Sequence, residues 1–267
     1  MSRVTVDPHI LLSPAVTNLR DIGGRATADG GTVATGVAYR SAELSADSVV
    51  TDDTLAALGI RTVVDLRTDA ERSSRPDQVP VGAELVVLDV LEDLPGGAAA
   101  QLPTLLAAGR VDEFASVDML GEMRSVYRHL VLDESARAAY ATFVRTVLDP
   151  ERTPVLFHCT AGKDRTGWAA TILLLGAGVD VAGATDEFLE VNPAVRETFA
   201  PLLAQFVGAG GDPDLLRPVL EVRAEFLEAA LAAVEERFGS FDGYLADGLG
   251  LSAVEVEALR RTLRADG

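Results

Sequence analysis

Residues 155–168 read VLFHCTAGKDRTGW, and the rest of the chain can be interpreted outward from this stretch. An apolar run opens it, and a second apolar run, 168–175, follows its polar centre. This order predicts a buried strand, a tight loop and a core helix. The loop holds the only cysteine and the only lysine of the chain, Cys159 and Lys163, and the stretch ends on its only tryptophan, Trp168. Rare residues are therefore gathered at a turn between a strand and a helix.

The composition of this loop suits an anion site built around a nucleophile. Backbone N–H groups at the start of a helix attract anions, helped by the helix dipole. Gly162 permits backbone conformations that a Cβ forbids, and Arg165 offers a planar fork for two phosphate oxygens. The same positive field favours a thiolate at Cys159, and Thr166 could donate its hydroxyl to the sulfur. A buried structural cysteine is the usual alternative, but the spacing of Cys, five residues, Arg and Thr favours a nucleophile.

Composition limits the other possibilities. The chain has 267 residues, 48% of them hydrophobic, which is enough for one large domain over 1–267. A single cysteine excludes an intrachain disulfide and a cysteine cluster for a metal ion. The sequence shows neither the pattern of a signal peptide nor a run of about 20 apolar residues that could cross a membrane. We therefore expect a cytoplasmic protein without stable membrane insertion, although export without a signal peptide and the oligomeric state stay open.

The charge of the chain makes the basic residues of the loop more informative. A net charge of −18 argues against nucleic-acid binding, because phosphate backbones would be repelled. A phosphate site in such a chain has to create its own positive field. Lys163 is the single lysine beside 22 arginines. Its position predicts a compact ammonium at the rim of the loop, paired with substrate phosphate or with the leaving group.

Three further sequence segments are predicted to be strands of the sheet that carries the loop. Residues 37–41, 61–66 and 84–90 have the β-branched or apolar composition of strands. In an open α/β sheet, ligands bind beyond the carboxyl ends of the strands. Asp65 and Arg67 stand at such an end, where they either brace the loop and widen its positive rim or form a strand-end ion pair.

Two later regions have helical periodicity. After the break at 94–97 the pattern becomes helical, and we expect a helical lid insertion over 94–130, or helices that only cover the sheet. Residues 213–238 form a long amphipathic segment, which predicts a helix that Asp212 caps.

The stretch 158–167, HCTAGKDRTG, resembles the signature loop of the cysteine-dependent protein tyrosine phosphatases. Its Lys-Asp pair narrows the resemblance to the atypical bacterial tyrosine/serine phosphatases, which are related to dual-specificity and phosphoinositide phosphatases. Further landmarks of that family follow at 18–24 (NLRDIGG), 39–44 (YRSAEL) and 64–67 (VDLR). The resemblance spans about residues 15–265. It implies an α/β fold with a central, mostly parallel sheet flanked by helices, a helical lid and a helical C-terminal region.

The resemblance implies two-step phosphoryl transfer through a phosphocysteine, with no cofactor and no metal. Cys159 would attack phosphorus while Arg165 holds its equatorial oxygens. Asp164 is the first candidate for the general acid and base, with Asp89 and Asp93 as rivals. The alternative for Asp164 is an ion pair with Lys163 or with a neighbouring arginine. His158 would orient the loop and help to keep Cys159 ionised. The residues expected to bind phosphate are Thr160, Ala161, Gly162, Lys163, Arg165 and Thr166.

The substrate is less well determined than the chemistry. Phosphotyrosine in proteins is the first expectation, with phosphoserine and phosphothreonine as additions. A phosphoinositide or inositol phosphate is the alternative that Lys163 and Asp164 suggest. Thr160 stands where close relatives can have a bulkier aromatic residue, and this difference bears on substrate preference. An inactive phosphate-binding module and a sulfurtransferase of the rhodanese type are weaker alternatives.

Overall fold

A computed structural model describes residues 8–94 and 118–265, and in these ranges a five-stranded sheet forms the centre of the protein. The strands are β1 (Arg20–Asp21), β2 (Ala38–Ser41), β3 (Thr62–Asp65), β4 (Glu84–Val87) and β5 (Val155–His158). Their order across the sheet is β1-β2-β5-β3-β4. β1 runs antiparallel to β2, and the other neighbours are parallel. The predicted α/β class with a mostly parallel sheet is therefore confirmed.

The central strand β5 carries the loop. It lies between β2 and β3, and all four of its residues are buried. Its last residue, His158, is in register with Ser41 of β2 and with Asp65 of β3. Because the three strands are parallel, their carboxyl ends meet at one edge of the sheet. The residues that follow each strand are thereby brought together around Cys159.

Helices cover the sheet and provide most of the core. They are α1 (Asp53–Leu58), α2 (Asp69–Ser74), α3 (Met119–Leu132), α4 (Glu134–Leu148), α5 (Asp164–Gly176), α6 (Val181–Leu189), α7 (Asn192–Gly208), α8 (Pro213–Leu220), α9 (Ala224–Phe238) and α10 (Ala253–Thr262). Side chains alternate between the two faces of the sheet, as strand geometry requires. Val64 and Phe157 join the larger core with most of the helices, while Val63 and Leu156 join a smaller core beneath α1. α5 is buried on nearly all sides.

Local sequence features set the bounds of two helices near the loop. Asp52 caps α1 by accepting a hydrogen bond from the N–H of Leu55, and Gly59 ends that helix in the left-handed region. α2 begins with a capping box in which Thr68 and Glu71 exchange hydrogen bonds. This box holds the carboxylate of Glu71 in one place.

The predicted lid over 94–130 falls mostly on residues 95–117, which lie outside the described residues, and there it stays a prediction. The described part, from Met119 onward, belongs to α3. This helix packs against α9 and buries four of its side chains within 119–130. They are Met119, Met123, Tyr127 and Leu130. This part of the segment is a core helix and not a cover that stands apart from the core.

The expectation of one helix over 213–238 was wrong. α8 ends at Leu220 and α9 begins at Ala224. Between them, the side chain of Asn192 donates to the carbonyl of Val222 at 3.0 Å and accepts from its N–H at 2.9 Å. These two bonds replace the helical bonds that the Val222 peptide would otherwise make. In the described ranges, no helix is long and apolar enough to cross a membrane.

Candidate active site

The loop between β5 and α5 makes a turn that only glycine permits at its centre. Gly162 has φ of 67°, and a Cβ on it would lie 2.2 Å from the carbonyl oxygen of Ser41. No side chain fits this approach, and an L-residue would also be strained at this φ. The loop is therefore held tightly against the end of β2.

The carbonyl groups of residues 159–162 all accept hydrogen bonds from outside the turn. Their donors are the ring of His158, the N–H of Glu43, the side-chain amide of Asn18 and the guanidinium of Arg40. The closest of these bonds joins Nη2 of Arg40 to the oxygen of Gly162 at 2.7 Å, and Asn18 reaches the same oxygen at 3.0 Å. Together they fix the direction of each peptide in the loop.

That direction determines what the loop can bind. In a trans peptide the N–H points opposite to the C=O, so the N–H groups of residues 160–163 face away from these donors. Within the described ranges, none of the N–H groups of residues 160–165 has a hydrogen-bond acceptor. A row of successive free N–H groups at a helix start forms a nest for an anion. The predicted phosphate-binding residues Thr160, Ala161, Gly162, Lys163 and Arg165 all contribute to this row.

Arg40 is held in place by a buried ion pair. Its Nη1 lies 2.8 Å and 2.7 Å from the two carboxylate oxygens of Glu187 in α6, and both side chains are almost completely buried. Burial raises the pKa of Glu187, but Arg40 and Arg20 outweigh it and lower that pKa below its usual value. Burial and the nearby charge of Arg40 lower the pKa of Arg20 to about 10. Glu187 thus anchors the arginine that orients the loop.

Cys159 lies at the floor of the loop, with 2% of its surface exposed, and His158 lies behind it. Nδ1 of His158 is 3.1 Å from the carbonyl oxygen of Cys159, and Nε2 is 3.0 Å from a carboxylate oxygen of Asp77. The contact at Nδ1 is a hydrogen bond, whereas Nε2 and the oxygen of Asp77 lie close together without hydrogen-bond geometry.

Asp65 and Arg67 lie behind the loop and not at its rim. Arg67 contacts Asp65 at 2.9 Å and Asp77 at 2.8 Å, and Asp77 in turn holds His158. The strand-end ion pair and the loop brace are therefore one network. Asp65, Asp77 and His158 place ligand atoms within 4.8 Å of one another, as a metal site would, but Arg67 already pairs with both carboxylates. Burial opposes ionisation of Asp77, but His158 and Arg67 lower its pKa below the usual value.

Arg165 pairs with a residue that the sequence did not single out. Its Nη1 and Nη2 lie 2.6 Å and 2.7 Å from the two carboxylate oxygens of Glu71, which also accepts from the hydroxyl of Thr160. Burial opposes the charge on both groups, yet Cys159 and Glu71 raise the pKa of Arg165, and Arg165 lowers that of Glu71. The hydrogen bonds of the Arg165 guanidinium to described residues are made by Nη1 and Nη2, and none by Nε. Glu71 therefore uses the end of the guanidinium and leaves the side that includes Nε for a ligand.

Asp164 is held on both of its carboxylate oxygens. The hydroxyl of Tyr127 donates to Oδ1 at 2.8 Å, and Nζ of Lys163 lies 3.3 Å from Oδ2. Lys163 also donates to the carbonyl of Val219 in the last turn of α8, and it is buried. The sequence predicted this ammonium at the open rim, whereas here it is turned between α8 and Asp164. Its contact with substrate phosphate stays a prediction.

The remaining candidates lie apart from the loop or lack the expected bond. Asp89 accepts from the N–H of Leu91, and Asp93 accepts from the N–H of Ser135 at the start of α4. Neither carboxylate is bonded to the loop within the described ranges. The buried hydroxyl of Thr166 has no hydrogen-bond partner there either, so the expected bond to the sulfur is absent.

Sequence reasoning missed five residues that hold the site: Asn18, Arg40, Glu71, Asp77 and Tyr127. Two of them stand in landmarks that had been recognised, NLRDIGG and YRSAEL, without a role being assigned. Glu71 could have been found, because Thr68 and Glu71 have the spacing of a capping box. Nothing in the local sequence identifies Asp77 or Tyr127.

A family model and two sequence relatives of this chain all point to the same protein family. A family model described as "Tyrosine phosphatase family" matches residues 12–265. A protein of Cupriavidus necator whose name assigns it to the tyrosine-protein phosphatases is 35% identical over 254 residues, covering 93% of this chain and 87% of the relative. The triple specificity protein phosphatase PtpB of Mycobacterium tuberculosis is 31% identical over 275 residues, covering 94% of this chain and 97% of the relative.

Among solved structures, the crystal structure of P. aeruginosa TpbA is similar at 22% identity and a TM-score of 0.34, covering 78% of this chain and 97% of that one. The family match and both sequence relatives span nearly the whole chain, including the loop and the residues that hold it. The chain belongs to the tyrosine phosphatase family and is a hydrolase of the protein-tyrosine-phosphatase type.

Proposed function

We propose that this phosphatase hydrolyses phosphomonoesters through a phosphocysteine on Cys159, and that phosphotyrosine in proteins is its main substrate. One observation supports this most directly: a row of free N–H groups surrounds a buried cysteine, with the open side of Arg165 beside it. A phosphoryl group over this nest would have its oxygens bound by backbone N–H groups and by Nε of Arg165. Its phosphorus would then lie above Sγ.

In the first step, Sγ of Cys159 attacks phosphorus, the S–P bond forms and the ester P–O bond breaks. Asp164 gives a proton to the oxygen that leaves. In the second step, Asp164 takes a proton from water, which attacks phosphorus and breaks the S–P bond. Inorganic phosphate and the free thiolate result. Asp164 is favoured over Asp89 and Asp93 because it alone stands in the loop, one residue before Arg165.

The depth of the nucleophile supports an aryl ester as substrate. Cys159 is 2% exposed, so the phosphoryl group has to enter the loop before it meets sulfur. The ring of a phosphotyrosine holds the phosphate farther from the peptide backbone than a serine or threonine side chain does. We expect phosphoserine and phosphothreonine to be slower substrates. PtpB, named as having triple specificity, is a relative in which a broader range is stated.

The nucleophile is tested with p-nitrophenyl phosphate. Cys159→Ser should abolish turnover while keeping the fold, because an alcohol in this place is not ionised. Equal rates for wild type and variant would refute the cysteine mechanism. Asp164→Asn should slow turnover, whereas the matched variants Asp89→Asn and Asp93→Asn should not. Slowing by either matched variant instead of by Asp164→Asn would move the acid away from the loop.

The substrate class is tested by comparing kcat/KM on a phosphotyrosine peptide, on the same peptide with phosphoserine, and on a short-chain phosphoinositide. The proposal expects the phosphotyrosine peptide to be fastest. Turnover of the phosphoinositide without turnover of either peptide would refute the assignment to protein substrates, while leaving the Cys159 chemistry in place.

A further inference from the structure

We propose that Tyr127 is a positioning residue for Asp164: its buried hydroxyl holds Oδ1, so that the proton Asp164 exchanges with substrate and water lies on Oδ2, beside Lys163. This inference rests on the proposed role of Asp164 as general acid and base. It adds a residue from α3, a different part of the chain, to the machinery of the loop. Tyr127 and Asp164 are 37 positions apart in the sequence.

The geometry gives Tyr127 little freedom. Its side chain is completely buried, its ring stacks on Phe226 with centroids 5.6 Å apart, and the edge of Phe188 meets it at 5.8 Å. The hydroxyl then lies 2.8 Å from Oδ1 of Asp164. A ring packed on two sides can turn only about its own axis, which leaves the hydroxyl where it is. The bond therefore fixes Asp164 and not Tyr127.

The hydroxyl keeps its own proton. Burial raises the pKa of Tyr127 well above its usual value, and the nearby carboxylate of Asp164 raises it further. Tyr127 is therefore a donor at every pH at which the enzyme works, and Oδ1 is its acceptor. Of the two contacts to the carboxylate, the bond to Oδ1 at 2.8 Å is the shorter, so a proton bound by Asp164 is placed on Oδ2. Nζ of Lys163 is 3.3 Å from that atom.

Other charged and titratable groups also interact electrostatically with Asp164. They are Lys163 and Arg165 from the loop and Tyr140 from α4. Tyr140 supplies a matched control. It is also a completely buried tyrosine, but its hydroxyl donates to the backbone carbonyl of Arg165 at 3.1 Å instead of to the acid. Removing either hydroxyl deletes one buried hydrogen bond close to the loop.

The test is the dependence of kcat/KM on pH with phenyl phosphate, a substrate whose leaving group needs a proton. Because kcat/KM covers the transfer to Cys159, Asp164 has to be protonated, and the rate falls as pH rises through its titration. Asp164→Asn identifies this alkaline limb by removing it. Tyr127→Phe should move the limb to higher pH, because a carboxylate that loses a hydrogen-bond donor binds its proton more tightly. Tyr140→Phe should leave the limb where it is.

If Tyr127 had only a structural role, Tyr127→Phe would lower kcat/KM at every pH without shifting the alkaline limb. Tyr127→Phe added to Asp164→Asn should change nothing further, since Tyr127 acts through Asp164. A limb that Asp164→Asn removes and Tyr127→Phe leaves in place would overturn this inference alone. A limb that persists in Asp164→Asn would overturn the role of Asp164 and this inference with it.

A second replacement covers the case in which Tyr127→Phe does not fold. 3-Fluorotyrosine introduced at position 127 keeps the ring and makes the hydroxyl a stronger donor, so the limb should move downward. A limb that does not move would overturn the inference.

Discussion

Replacing Glu71 by glutamine distinguishes two opposite functions for its contact with Arg165. The carboxylate either positions the guanidinium for phosphate or competes with phosphate for it. Its oxygens accept from both Nη atoms of Arg165, at 2.6 Å and 2.7 Å, and Thr68 and Thr160 complete its contacts. A glutamine side chain has one oxygen and one NH₂ group. Whichever way it turns, a donor faces one Nη of Arg165.

The size of the effect follows from that single lost bond. A hydrogen bond to a charged group is worth about 1.5–3 kcal/mol. If Arg165 holds its place only through Glu71, kcat/KM should fall about 10- to 150-fold, at about 1.36 kcal/mol for each factor of ten. If Glu71 competes with phosphate, Glu71→Gln should instead bind inorganic phosphate more tightly and lower the KM.

The assay is steady-state turnover of p-nitrophenyl phosphate together with inhibition by inorganic phosphate. Thr68→Ala is the matched control, because it removes the hydroxyl of the capping box of α2, while the N–H of residue 68 and the guanidinium of Arg165 still hold the carboxylate of Glu71. It should lower the free energy of unfolding by about 1 kcal/mol and change kcat/KM little. A rise in kcat/KM, or tighter inhibition by phosphate, in Glu71→Gln would refute the positioning argument.

Three further outcomes follow from the same contacts. In Gly162→Ala, the Cβ would lie 2.2 Å from the oxygen of Ser41, so we expect phosphate inhibition to be lost and the Tm to fall; retained inhibition would contradict the tight turn. Arg40→Met leaves Glu187 buried without its main partner, and urea unfolding should show a loss of about 3–5 kcal/mol. Because folding lowers the pKa of Glu71 below its ordinary 4.5, its ionised form stabilises the protein above that pH and this stabilisation is lost as pH falls. The Tm difference between wild type and Glu71→Gln should therefore shrink on acidification, and a constant difference would contradict the assignment.

The parts of the fold that sequence predicts well depend on short-range patterns. The strand, loop and helix around Cys159 follow from apolar periodicity, and the ends of α1 follow from Asp52 and Gly59. The site partners depend on packing between distant segments. Arg165 and Glu71 are 94 positions apart, and Arg40 and Glu187 are 147 apart. No periodicity or cap relates such pairs.

The contact between Lys163 and α8 could not be predicted from the sequence for the same reason. That Lys163 is the only lysine and stands in the loop predicted a charged group at the rim. These two observations do not reveal that α8 packs close to Lys163, where the carbonyl of Val219 accepts a hydrogen bond from Nζ. The break at Val222 that frees α8 from α9 depends in turn on Asn192, 30 positions away. A long amphipathic pattern alone predicts one helix there.

The burial of Lys163 gives the protein a built-in reporter. Apart from the amino terminus, this chain has one primary amine, and it stands in the loop against Val219. An amine-selective reagent can therefore label only these two positions, and peptide masses after proteolysis distinguish them. Since Nζ is buried, its labelling rate measures how often α8 separates from the loop, without any engineered probe. A substrate analogue that draws Nζ towards its phosphate would change that rate, so the movement can be followed in the unmodified protein.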